Sequence, residues 1–236
     1  MFQETLWNGI RLLQDQGQFR LSTDSVVCAS FARFPAGSRV ADLGCGGGAI
    51  SMLLLANDPT LHLTGIELQP EAARMAEENA AINPGDFTVL QGDLRQIRSL
   101  LPAGSMDHAI SNPPYFPVGS GLTAADEAIA IARSEETCDL SQLTAAASWL
   151  LRWGGSFVLV HRPERLADVI CALREQKLEP KRIRFVRHTA SGPVSLLLLE
   201  ARKGGKPGLT YEADLILRTA DGQETEETKR IYHRMP

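Results

Sequence analysis

No stretch of this 236-residue chain approaches the roughly 20 apolar residues of a membrane helix, and Arg152 interrupts the best run, Leu150 to Val160. The start, Met1-Phe2-Gln3-Glu4, lacks the basic end and apolar core of a secretion signal, so a cytoplasmic protein is expected. Cysteine is scarce. None of Cys28, Cys45, Cys138 and Cys171 forms a CxxC pair, which argues against a zinc ribbon or a dithiol redox motif. The histidines (His62, His108, His161, His188, His233) are scattered without ligand spacing, so no metal is expected. There is no basic excess either. A net charge of −4 argues against a generally basic coat for nucleic acid. Internal repeats and low-complexity linkers are absent. What remains is an ordinary composition, 44% apolar and 22% charged, with enough chain for one substantial α/β domain and a small appendage.

Strand and helix patterns alternate along most of the chain. Near the start, Ile10–Leu13 and Phe19–Leu21 flank the Gln14–Gln18 turn, which contains Gly17, and read as a hairpin or short strands. Thr23 or Asp24 can cap a helix that stops before Pro35. Strands are predicted from Arg39 to Asp42, Leu61 to Glu67, Phe87 to Leu90, Met106 to Ser111 and Ser156 to His161, with helices between them. Arg182–Arg187 and Val194–Glu200, split by Ser191-Gly192-Pro193, read as an antiparallel pair. This order predicts a mainly parallel sheet with helices on both faces and a reversed strand at one edge.

The first strand runs into Asp42-Leu43-Gly44-Cys45-Gly46-Gly47-Gly48 and then a helix. A glycine-rich turn there brings backbone close to a ligand. The spacing fits the dinucleotide pattern G-x-G-x-x-G only in part. Asp42, just before the turn, suits an ammonium better than a pyrophosphate. Glu67 closes the second strand, where it can accept hydrogen bonds from a ribose diol. An amino acid joined to a nucleoside satisfies both, which describes S-adenosylmethionine.

Strand four ends at Asn112-Pro113-Pro114-Tyr115, where open α/β sheets place their ligands. The Asn112 side-chain carbonyl and the Pro113 backbone carbonyl can accept both hydrogens of a conjugated amine, pulling its nitrogen toward tetrahedral geometry. The prolines preorganise these acceptors, and Tyr115 can stack on a planar base. No dedicated general base is needed, because the amine can lose its extra proton to water.

These motifs resemble those of class I S-adenosylmethionine-dependent methyltransferases. Val40 to Gly48, with Leu43, Gly44, Cys45 and Gly46 against the cofactor, resembles their first motif. Glu67-Leu68 resembles their ribose-binding acid, and Gly92-Asp93-Leu94 their adenine loop, with Asp93 accepting from the exocyclic amine. The resemblance implies a Rossmann-like fold with a seven-stranded, mainly parallel sheet. It places a catalytic domain at 38–206, an N-terminal hairpin and helix at 1–37 and a C-terminal extension at 207–236. Over most of its length the chain is similar to the bacterial tRNA adenine-N6 methyltransferases that modify the adenosine beside the anticodon. Phe19 to Ser25 resembles their segment before the first helix, whose Thr23-Asp24 would lie near the methionine end of the cofactor. Ala132-Arg133-Ser134-Glu135 resembles a substrate-loop segment in which Arg133 would meet an anion. The resemblance implies a tRNA substrate, and with no metal and no membrane expected the oligomeric state stays open, a monomer being favoured.

One charge feature bears on the acceptor. Between residues 177 and 206 there are eight Lys/Arg and two acids, a local net charge of +6. A solvated face is the usual reading of such a run. Set beside the tRNA resemblance, Lys181, Arg182 and Arg184 are expected to hold an RNA backbone. Other acceptors stay open. A release-factor glutamine amide shares the Asn-Pro-Pro-Tyr motif, although those enzymes carry a larger domain before the first sheet strand. A ribosomal-RNA guanine-N2 acceptor goes more often with Phe at position 115. A non-catalytic binding module has no use for the motif, and a nicotinamide dehydrogenase conflicts with Asp42.

Overall fold

A computed structural model describes residues 2–14, 21–113 and 139–234. Pro114, Tyr115 and Arg133 lie outside them, as does most of the Phe19–Leu21 segment. The first two strands, β1 (Phe2–Thr5) and β2 (Arg11–Gln14), form an antiparallel hairpin around a one-turn helix at Trp7–Gly9. The Ile10–Leu13 segment thus has a strand partner upstream, and the expected pairing with Phe19–Leu21 falls mostly on residues outside the described ones. Asn8 and Gly9, at φ 56° and 76°, make the upstream reversal. Helix α1 (Thr23–Phe31) is capped by Ser22, whose Oγ accepts from Ser25 N at 3.2 Å, and not by Thr23 or Asp24.

The alternation then runs β3 (Arg39–Leu43), α2 (Ala49–Asn57), β4 (His62–Glu67), α3 (Pro70–Ala81), β5 (Asp86–Gln91), the short α4 (Ile97–Leu100) and β6 (Met106–Ser111). After the undescribed stretch come α5 (Leu140–Leu150), β7 (Leu151–His161), α6 (Leu166–Glu175), β8 (Leu178–Thr189) and β9 (Val194–Lys203). The chain closes with β10 (Thr210–Tyr211), β11 (Leu215–Arg218) and α7 (Glu226–Ile231). The main sheet has nine strands among the described residues, in the order β10-β8-β9-β7-β6-β3-β4-β5, with β11 also on β8. Seven were expected; the additional two, β10 and β11, come from the C-terminal extension and pair parallel to β8. The single reversed strand, β9, runs antiparallel to both β7 and β8. It thus lies two strands in from the margin formed by β10 and β11, toward one edge of the sheet.

Both faces of this sheet are covered, which is why its strands read as nearly continuous apolar runs. Along β7, Val158 and Val160 join the core beneath α1 and α2, whereas Phe157 and Leu159 join the core beneath α5 and α6. Successive side chains point to opposite faces, so one strand feeds both cores. The extension returns across the molecule to the N-terminal hairpin, where His233 stacks on Trp7 at a ring separation of 4.1 Å. The path β3-β4-β5 moves one way from β3, and β6 starts again on its other side. This reversal makes the ends of β3 and β6 a topological switch point, the place where such sheets bind ligands.

Candidate active site

A cleft of about 260 Å³ opens there, walled by Gly44 and Gly46 after β3, Glu67 and Leu68 after β4, and Asn112 and Pro113 after β6. Gly92 and Leu94 close it from the β5 side, and Leu143 of α5 reaches in from one core. The lining is mainly apolar, with the Glu67 carboxylate, the amides of Gln69 and Asn112 and the Ser111 hydroxyl. That composition suits a planar ring carrying a few polar groups.

The glycine turn is bonded inward. Gly44 N and Cys45 N donate to Ile66 O at 2.9 and 3.2 Å, Gly46 N donates to Glu67 Oε2 at 2.8 Å, and Gly48 N donates to Cys45 O at 2.9 Å. A pyrophosphate cradle needs such N–H groups facing the ligand. Here four are committed to the protein, which disfavours a dinucleotide. Gly44 sits at φ +69°, and a Cβ there would meet no protein atom within 4 Å. A side chain at this position would enter the cleft, so glycine keeps the floor open.

Glu67 is 7% exposed, and its Oε1 accepts from Gln69 N at 2.9 Å. Each carboxylate oxygen thus holds one backbone N–H and keeps a lone pair for a ligand hydroxyl. Asp42 is placed differently from expectation. It is 1% exposed and absent from the cleft wall. Its Oδ2 accepts from Ser51 Oγ of α2 at 2.8 Å, and its Oδ1 is buried with no hydrogen-bond partner among the described residues. Burial pushes its carboxyl up to about 7, against the lowering effect of the Ser51 hydroxyl and with a further push from the nearby Glu67 charge. Asp42 therefore anchors the turn to α2 from beneath.

Asp93 is likewise turned aside. It caps a short turn, and its carboxylate is gripped by Arg95 through a 2.6 Å ion pair, so its pKa is lowered, chiefly by the Arg95 hydrogen bond. Its neighbours Gly92 and Leu94 line the cleft instead. Thr23 is exposed and Asp24 half-buried at the start of α1, and neither lines the cleft. Burial raises the Asp24 carboxyl, and the Arg162 charge works against that. The Cys45 side chain is buried, and burial raises its thiol well above the usual range.

On the acceptor side, Asn112 is half-buried, and its Nδ2 donates to Ser25 Oγ at 3.2 Å. Ser111, just before it, donates from Oγ to Leu43 O at 2.7 Å, tying the exit of β6 to the exit of β3. Sequence reasoning missed Ser25 and Ser111, and also Asn79. The last is fully buried on α3 and donates from Nδ2 to Gly47 O at 2.8 Å and Leu13 O at 3.1 Å, while its Oδ1 accepts from Leu13 N at 2.6 Å. A polar residue among the small apolar residues of an amphipathic helix face was the available signal.

Arg182, Arg184 and Arg187 of the basic segment are paired with carboxylates within the fold. Arg182 bonds Glu200 at 2.6 Å, Glu212 at 2.9 Å and Phe31 O at 2.9 Å. Arg184 bonds Glu227 at 2.7 Å and Ala213 O at 2.8 Å, and Lys181 Nζ donates to Lys206 O at 3.1 Å. These residues hold the C-terminal extension against β8 and are not gathered at the cleft.

With this geometry in view, the chain was compared with known proteins. Residues 25–175 match the family described as methyltransferase small domain. A tRNA1(Val) (adenine(37)-N6)-methyltransferase of Porphyromonas gingivalis is 35% identical over 176 residues, 71% of this chain and 68% of that protein. A release factor glutamine methyltransferase of Deinococcus radiodurans is 31% identical over 80% of this chain and 73% of its own length. Among solved structures, one described as a predicted O-methyltransferase from Agrobacterium tumefaciens superposes with a TM-score of 0.73 at 25% identity, covering 89% of this chain and 96% of that one.

Proposed function

The chain belongs to the methyltransferase small domain family, and from that membership we propose that it uses S-adenosylmethionine to methylate the exocyclic N6 of an adenosine in tRNA, beside the anticodon. The observation that carries this reading is the meeting of Asn112 and Pro113 with Gly44, Gly46 and Glu67 around one cleft. Relatives named tRNA1(Val) (adenine(37)-N6)-methyltransferase recur, including a second from Porphyromonas gingivalis at 32% identity over 90% of this chain.

The residues present fit the cofactor. Glu67 offers a carboxylate to a ribose diol, Gly44 and Gly46 leave room for close approach, and Leu68 and Leu94 give apolar walls for a base. Bound S-adenosylmethionine supplies an electrophilic methyl group. The chain's own contribution is to position the acceptor. The Asn112 Oδ1 and the Pro113 carbonyl accept the two hydrogens of the amine and free its lone pair. When the new N–C bond forms, one of those hydrogens leaves as a proton to solvent. In this reading Tyr115 stacks on the base and Arg133 contacts RNA phosphate.

The test is radiolabelled methyl transfer to total tRNA from a strain lacking the protein, with mass spectrometry of the nucleosides. N6-methyladenosine is the expected product. Labelling of a release factor instead, with tRNA unlabelled, would move the acceptor to a glutamine amide. Asn112→Ala is expected to abolish transfer while S-adenosylhomocysteine still binds.

A further inference from the structure

We propose that Ser25 is a positioning residue for the acceptor site: its hydroxyl holds the NH2 of Asn112 and thereby turns the amide oxygen toward the cleft. This deepens the function proposed above and rests on it.

An amide has two ends of nearly equal shape, one donating and one accepting. Rotation about the bond that carries it is broad and roughly two-fold. An Asn112 amide free to flip would present its NH2 to the incoming NH2 for part of the time, donor against donor. Something must tell the two ends apart. Among the described residues, Ser25 is the side chain bonded to this amide, through Nδ2 at 3.2 Å.

The serine is itself held. It is 6% exposed, in the first turn of α1, with its N–H on Ser22 Oγ at 3.2 Å and its own Oγ 3.2 Å from the same oxygen. Either hydroxyl can donate in that pair, and when the Ser25 hydrogen points to Ser22 the Ser25 oxygen meets Asn112 only as an acceptor. The amide then has to offer its NH2 there and its oxygen to the cleft. One turn along α1, Cys28 Sγ donates to Ser111 O at 3.7 Å. Residues three apart share a helix face, so α1 touches the β6 exit at two successive residues. The capping serine thereby links the start of a helix to the orientation of a catalytic amide.

The experiment compares Ser25→Ala, Ser25→Thr and Ser25→Cys with the parent and with Asn112→Ala, by steady-state methyl transfer to tRNA and by calorimetric binding of S-adenosylhomocysteine. Ser25→Ala is expected to lower kcat about 10- to 100-fold, the scale of a misplaced reacting group, with S-adenosylhomocysteine affinity unchanged. Ser25→Thr, which keeps the hydroxyl, should restore the rate. Ser25→Cys keeps the volume but accepts weakly, and should stay slow. A Ser25→Ala enzyme at the parent rate overturns the proposal. So does restoration by Cys, or failure of Thr to restore, since either makes the role one of packing. If Asn112→Ala itself works at the parent rate, it is the amine-gripping function that fails.

Discussion

Asp42 shows how a single buried carboxyl couples the glycine turn to pH. In the fold its proton is held up to about 7, whereas the ordinary aspartate value is 3.8. Between those values the native state binds more protons than the unfolded chain, so this group's contribution to stability falls as pH rises and is lost through about 7. His161 runs the other way. Burial holds it down to about 4 from 6.5, so between those values stability rises with pH. Comparing the thermal midpoint of Asp42→Asn with the parent across that range cancels the histidine. The Asn variant should gain on the parent as pH rises from about 5 to 8, and a constant difference would show that the carboxyl does not titrate in the fold. The position of Asp42 before the turn was legible in the sequence, because a charge at the end of a buried strand stands out. Which way its carboxylate points was not, since that depends on Ser51, one helix away. Asp93 repeats the lesson: its place in the chain was read, and its capture by Arg95 was not.

At the level of elements, the parallel strands from β3 to β6 were legible to within a residue or two, because each is an apolar run closed by turn residues. Strand β1 was not legible, because it is exposed throughout and carries no alternation. Two asparagines hold β2 in place: Asn83 bonds both backbone groups of Arg11, and Asn79 of α3 bonds both backbone groups of Leu13 and the Gly47 carbonyl. The three Asn79 bonds, across more than 30 residues, leave no local pattern to read. Asn79→Ala would leave those groups unsatisfied, at a loss of about 2 kcal/mol or more. Thermal denaturation should show a midpoint lower by roughly 4–8 °C for a chain of this size. S-adenosylhomocysteine affinity should fall with it, because the glycine turn loses its outer support. An unaltered midpoint would mean that water replaces the amide.

For the molecule as a whole, the charge of residues 177–206 was legible in the sequence and its ion-pair partners were not. A run of Lys/Arg reads as a surface patch only while its partners are unknown, and here the carboxylates of Glu200, Glu212 and Glu227 close on it. Arg182 side-chain exposure is 13%, and its removal takes the ion-pair partner from Glu200, itself 13% exposed, while Glu212 keeps Arg33 at 3.1 Å. Arg182→Ala should therefore destabilise the protein by about 3–5 kcal/mol. The slope of tRNA affinity against salt, measured on folded protein, should stay unchanged, because that slope counts released counterions at phosphates. A flatter slope would return Arg182 to the RNA interface. The stack of His233 on Trp7 has a different consequence. With the late segment seated on the early one, the polypeptide is close to a ring, and ribosomal order makes the hairpin long before the piece that covers it. The hairpin must wait for that piece, so the nascent protein completes this side of its body only after the sheet bearing the cleft has been made.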